Sequence, residues 1–176
     1  MNAKKIALTI AMASVFAMGA ANAATDQGHG TVTFTGSIID APCSITPESS
    51  DQTVDLGQVS NLALKDGGKS VPQTFTIKLT QCDVTTKKTV KTTFAGTEST
   101  AQTGLLALTG TAKGASIAIV SATGTVIPLG TPSAAQTLLT GDNNLEFSAY
   151  LQGDGASATI VPGTFKSVAN FTLDYP

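Results

Sequence analysis

The chain has 176 residues, of which 10 are Lys, 12 are acidic, one is His and none is Arg. That length suits a single domain. The formal net charge of −2 and the missing Arg exclude the basic face that nucleic-acid binding requires.

The first residues read as an export signal. Lys4 and Lys5 precede an apolar run over residues 6–18, and small residues follow to Ala24. Ala21-Asn22-Ala23 satisfies the A-x-A rule, which predicts a signal peptide over residues 1–23 cleaved between Ala23 and Ala24. A transmembrane anchor is the competing reading, but the run is shorter than the roughly 20 apolar residues a bilayer demands. Cleavage leaves eight Lys against twelve acids, a formal charge of −4.

Residues 24–30 are polar and Gly-rich, which predicts an unpaired, mobile start to the mature chain. Alternation begins directly after them. Over residues 31–39, Val32, Phe34, Gly36 and Ile38 fall on one face of a predicted strand, a face that Gly28 and Gly30 continue. Further strands are expected over 73–79 (Phe75, Ile77, Leu79), 89–95 (Val90, Phe94), 115–120 (Ile117, Ile119), 145–151 (Leu145, Phe147, Ala149, Leu151) and 169–175 (Ala169, Phe171, Leu173, Tyr175). Turn signals separate them: Asp66-Gly67-Gly68, Gly141-Asp142-Asn143-Asn144 and Gly153-Asp154-Gly155. Thr, present 28 times, favours the pleated surface. Short strands broken by such turns predict an all-β sandwich.

Cys43 and Cys82 are the only cysteines. In an oxidising compartment an isolated pair forms a disulfide, closing a loop of about 40 residues worth roughly 4 kcal/mol in the chain-entropy model. A redox or zinc site is the rival. Redox motifs favour Cys-x-x-Cys, and zinc takes four ligands.

Catalytic chemistry finds little support. One His gives no His-based metal cluster, and no G-x-S-x-G presents a serine to His29. Gly67-Gly68-Lys69-Ser70 lacks the first glycine of a phosphate loop and is expected as a hairpin turn. No enzyme activity, metal or cofactor is expected.

The two ends are more informative. The chain finishes on its last alternating run at Asp174-Tyr175-Pro176, offering alternate apolar side chains and a carboxylate to a partner. From pattern alone, exchangeable strands and ordinary edge strands of a complete sandwich are equally good readings.

The residues break the tie by resemblance. Gly30-Thr31-Val32-Thr33-Phe34-Thr35-Gly36, Ile38-Ile39-Asp40-Ala41-Pro42-Cys43-Ser44-Ile45, Asp51-Gln52-Thr53-Val54-Asp55-Leu56-Gly57-Gln58 and Leu79-Thr80-Gln81-Cys82-Asp83 are similar to the major structural pilins of P and type 1 pili. So is the ending Ala169-Asn170-Phe171-Thr172-Leu173-Asp174-Tyr175, with Gly163 fourteenth from the C-terminus. The closing Pro176 departs from the polar residue more usual there.

The resemblance implies an incomplete immunoglobulin-like β-sandwich over residues 37–176, completed by donor-strand addition from a neighbouring subunit. It implies that residues 24–36 are the donor strand, with Gly28, Gly30, Val32, Phe34 and Gly36 seated in the next copy. It implies that Phe171, Leu173 and Tyr175, with Gly163 allowing close backbone approach, meet a periplasmic chaperone. Implied partners are further copies of the chain, other pilins, the chaperone and an outer-membrane usher, on a route through the periplasm to an extracellular fimbria. A minor or adaptor pilin, and a secreted monomeric binding or inhibitor sandwich, are the alternatives.

Overall fold

The computed structural model describes residues 28–176, so the expected cleavage at Ala23 and Ala24 lies outside the described residues. Residues 28–40 carry no regular secondary structure and are exposed. The expected strand over 31–39 therefore has no ladder among the described residues; its apolar alternation is present, but no other strand pairs with it.

Residues 39–176 form a compact unit of two facing sheets. The larger has the order β1-β2-β7-β5, with β1 Ser44–Ile45, β2 Gln73–Cys82, β5 Ala115–Ser121 and β7 Gly141–Gly153, all antiparallel. The second has the order β6-β3-β9, with β3 Thr89–Gly96, β6 Gln136–Thr137 and β9 Ala169–Asp174. A short ladder joins β4 Thr109–Gly110 to β8 Phe165–Lys166.

Alternation explains the core. Phe75, Ile77 and Leu79 of β2 and Leu145, Phe147, Ala149 and Leu151 of β7 point inward, while Thr74, Lys78 and Glu146 point out. From the opposite sheet Val90 and Phe94 meet them. Phe147 contacts Phe94 edge-on at 5.1 Å between ring centroids and Phe75 at 5.7 Å, so one aromatic cluster spans both layers. Cys43 and Cys82 are disulfide-bonded, with Cα atoms 4.1 Å apart, tying the approach to β1 onto the end of β2. Beyond the short β1, the Lys78 amide is satisfied by the buried Ser49 hydroxyl at 2.9 Å, from the single-turn helix α1 Pro47–Ser50.

Three expectations need correction. Asp66-Gly67-Gly68 is a turn but not a hairpin: it ends the 3-10 segment Asn61–Gly67, with Asp66 at φ 56° and Gly67 at φ 79°. The chain before it does not pair with β2, so no hairpin can form. Residues 141–144 open β7 instead of turning; the Asn143 side chain braces the preceding bend by accepting from the Leu139 amide and donating to its carbonyl. In β5 both faces are buried, not only that of Ile117 and Ile119. Its outer residues Ala118 and Val120 pack with Leu105 and Tyr150. There Ser116 donates to Asp154 Oδ1 at 2.6 Å and lies 2.8 Å from Ser99 Oγ, which anchors the covering loop.

Two buried hydroxyls, those of Thr92 and Tyr175, have no hydrogen-bond partner among the described residues, and Thr92, on β3, is buried throughout. An unsatisfied buried hydroxyl costs about 1–3 kcal/mol. Thr92→Val, of matching shape, is expected to raise the denaturant midpoint of the subunit; an unchanged or lowered midpoint would show the hydroxyl to be satisfied.

Candidate functional site

β9 is an edge strand: it pairs with β3 and, among the described residues, with nothing on its other side. Its outward residues Asn170, Thr172 and Asp174 are exposed, as a solvent face should be. Its inward residues Ala169, Phe171, Leu173 and Tyr175 pack on the core yet are only partly buried. Apolar residues on the core face of a finished sandwich would be covered.

The direction of the free backbone groups follows from the register. Lys88, Thr92 and Phe94 direct their carbonyls to Leu138, Ser133 and Gly130, on the β6 side of β3. Alternate residues face opposite edges of a strand. Lys91, Thr93 and Ala95 therefore face β9 and pair with Asp174, Thr172 and Asn170. The intervening Phe171 and Leu173, and by continuation Ala169 and Tyr175, turn their N–H and C=O groups toward the open edge.

A second unpaired stretch lies in residues 53–59. It belongs to no sheet, and among the described residues the one hydrogen bond its amides make is Gly57 N–H to Asp55 Oδ1 at 2.8 Å. Leu56 is buried and Val54 and Val59 pack against the core, so the segment is fixed by its side chains, not by a ladder. Between it and residues 160–165 opens a cavity of about 720 Å³, walled by Val54, Leu56, Leu108, Ile160 and Phe165 among others. The cavity is mostly apolar and open to solvent; the 53–59 wall carries unpaired backbone, whereas Val161, Thr164 and Phe165 on the other wall are hydrogen-bonded to residues 110–113. Its chemistry suits an extended peptide that brings its own hydrogen-bonding edge and apolar side chains.

Phe171, Leu173 and Tyr175 share the inward face of β9. Gly163 lines the cavity, but a Cβ there would sit 2.4 Å from Thr111 Oγ1 and 2.7 Å from the Ala112 amide. The close backbone approach it permits is made by its own chain. Val32 and Phe34, 74% and 90% exposed, belong to neither core cluster. A Cβ on Gly30 or Gly36 would meet nothing within 4 Å among the described residues, and Gly28 has φ 138°. No group of three or more metal-ligating side chains occurs among the described residues. The wall at Val54, Leu56 and Val59 was not picked out as a site by sequence reasoning, although Thr53-Val54-Asp55-Leu56 alternates in the right period.

Burial raises the Tyr175 phenol above its ordinary pKa of 10.0. A raised folded-state value means the unfolded chain loses this proton first, so stability falls as pH rises past about 10. Tyr175→Phe is expected to flatten that alkaline decline in unfolding midpoint; an unaltered decline would place its origin elsewhere.

The comparisons with known proteins fit this geometry. The fimbrial protein family model matches residues 32–176. The chain is 63% identical to the Fimbria A protein of Serratia marcescens over 94% of this chain and 97% of that protein. It is 53% identical to the Major MR/P fimbria protein of Proteus mirabilis over 99% of both. Among solved structures it resembles a chaperone–usher pilus subunit (37% identity, TM-score 0.75, 85% of this chain and 97% of that one). It also resembles the P pilus rod subunit PapA (34% identity, TM-score 0.69, 77% and 100%). The chain belongs to the fimbrial protein family.

Proposed function

We propose that this protein is the rod-forming subunit of a chaperone–usher fimbria, that it polymerises head to tail by strand exchange, and that its role is structural and not catalytic. The observation that carries this is unpaired backbone, among the described residues, at two places, residues 53–59 and the open edge of β9, each with partly buried apolar residues beside it. Residues 24–36 are the donor strand, and their alternating Val32 and Phe34 are the side chains for a neighbour's groove. A head-to-tail contact of this kind does not close on itself and builds a filament. Before assembly the groove exposes apolar surface and a bare edge, both aggregation hazards. A periplasmic chaperone adding its own strand along β9 protects both, and an outer-membrane usher then exports the subunit to the fimbria.

The relatives' own names favour a major subunit over a minor or adaptor pilin, since two of those similar to the chain are a major fimbria protein and a rod subunit. A self-sufficient secreted sandwich fits less well, because it would have no unpaired core edge. Electron microscopy of the producing cell tests the assignment. Removing the gene should abolish the fimbrial rods, whereas a minor subunit would leave rods of altered number or tip.

A further inference from the structure

The bridge between Cys43 and Cys82, 39 residues apart in sequence, closes a covalent loop. That loop holds two stretches of opposite character. The wall at residues 53–59 is fixed by its side chains, and β1 before it pairs through two residues only. β2, which ends at Cys82, lies between β1 and β7 and is laddered to β7 from Gln73 to Leu79, with Ile77 and Leu79 fully buried. The chain reaches Cys43 from residues 28–40, which are exposed and have no regular secondary structure.

We infer that the disulfide is a mechanical shunt: tension arriving along the extension crosses from Cys43 to Cys82 into β2 and bypasses the 53–59 wall. This conformational device rests on the proposed strand exchange, in which each subunit of a head-to-tail filament is pulled between its own extension and the strand seated in its groove. The physical reason is the order of bonds along the chain. Without the bridge, a pull on Cys43 meets β1 first, peels its two-residue ladder, and then strips the wall, where no ladder resists. With the bridge, covalent bonds carry the pull past residues 44–81 to the end of β2. There the antiparallel ladder to β7 and the buried side chains share it. The groove keeps its wall while the fibre is stretched.

Single-molecule stretching of the full chain, its chaperone exchanged for a synthetic peptide of residues 24–37, tests this. One handle is on the peptide and the other on the chain, either at exposed Ser37 or at exposed Gln58 inside the loop. Pulled from position 37, the oxidised chain should release its peptide in one event with no lengthening beforehand. Pulled from position 58, with the same bridge and the same unloaded unfolding midpoint, it should release at a lower force, because the wall itself takes the pull. In Cys43→Ala/Cys82→Ala pulled from position 37, a lengthening of roughly 100 Å should come first, the span of residues 43–72 at about 3.3–3.6 Å each. Should that variant not fold, the two loading points decide alone. Release at one force from both positions overturns the inference, as does release from the double variant without prior lengthening, and both leave strand exchange intact. Failure of the unloaded wild type to retain the peptide overturns the strand-exchange reading itself, and the inference with it.

Discussion

Phe147→Ala is expected to cost about 3–5 kcal/mol, enough to unfold a subunit of ordinary stability. Phe147 is 1% exposed and meets Phe94 of the opposite sheet at 5.1 Å between centroids, closer than the 6.1 Å between Phe75 and Phe94, so it is the tighter aromatic contact between the two sheets. Deleting it opens a cavity where the layers are held together, and β-sheet backbones on either side cannot collapse to fill it. Phe147→Leu should recover a good part of the loss. Denaturant unfolding of the strand-complemented subunit measures this, and a loss under 1 kcal/mol for the alanine variant would mean that the aromatic cluster is not the joint between the sheets.

Most of the sandwich was legible because its strands are amphipathic. Phe75, Ile77 and Leu79, and Leu145 through Leu151, announce a buried face in a two-residue period, and the structure buries those residues. The same period gave the inward set of β9. What stayed hidden depends on contacts distant in sequence. The outer face of β5 reads as small and mixed (Ser116, Ala118, Val120), and nothing local says that the loop carrying Ser99 and Leu105 will cover it. Residues 53–59 alternate like a strand, yet no chain segment among the described residues pairs with them. Gly163 drew attention for its place near the end, but its constraint comes from Thr111 and Ala112, some fifty residues earlier. Lys87, 88 residues earlier in sequence, donates to the Tyr175 carbonyl, a contact with no sequence signal. Residues 31–39 are the reverse case: the pattern of a strand is plain, and no ladder forms among the described residues.

The largest functional effect is expected at Gly30. It shares a strand face with Val32 and Phe34, two large side chains between small ones. Among the described residues nothing lies within 4 Å of a Cβ built on it, so within the subunit a larger residue has room. On a donor strand it would not: a bulky side chain between the Val32 and Phe34 seats and the next groove would hold the backbone off along its length. Phe34→Ala should be milder, losing roughly 1.5–3 kcal/mol of apolar burial at each junction. With Phe34 90% exposed, that variant should leave the subunit's own folding untouched.

Polymerisation of Gly30→Leu from its chaperone complex is therefore the most direct measurement. The variant should be recovered folded and chaperone-bound, with the unfolding midpoint of the wild type, and should form no fibres by sedimentation and electron microscopy. Fibres growing at the wild-type rate would contradict the placement of residues 24–36 in a neighbour's groove.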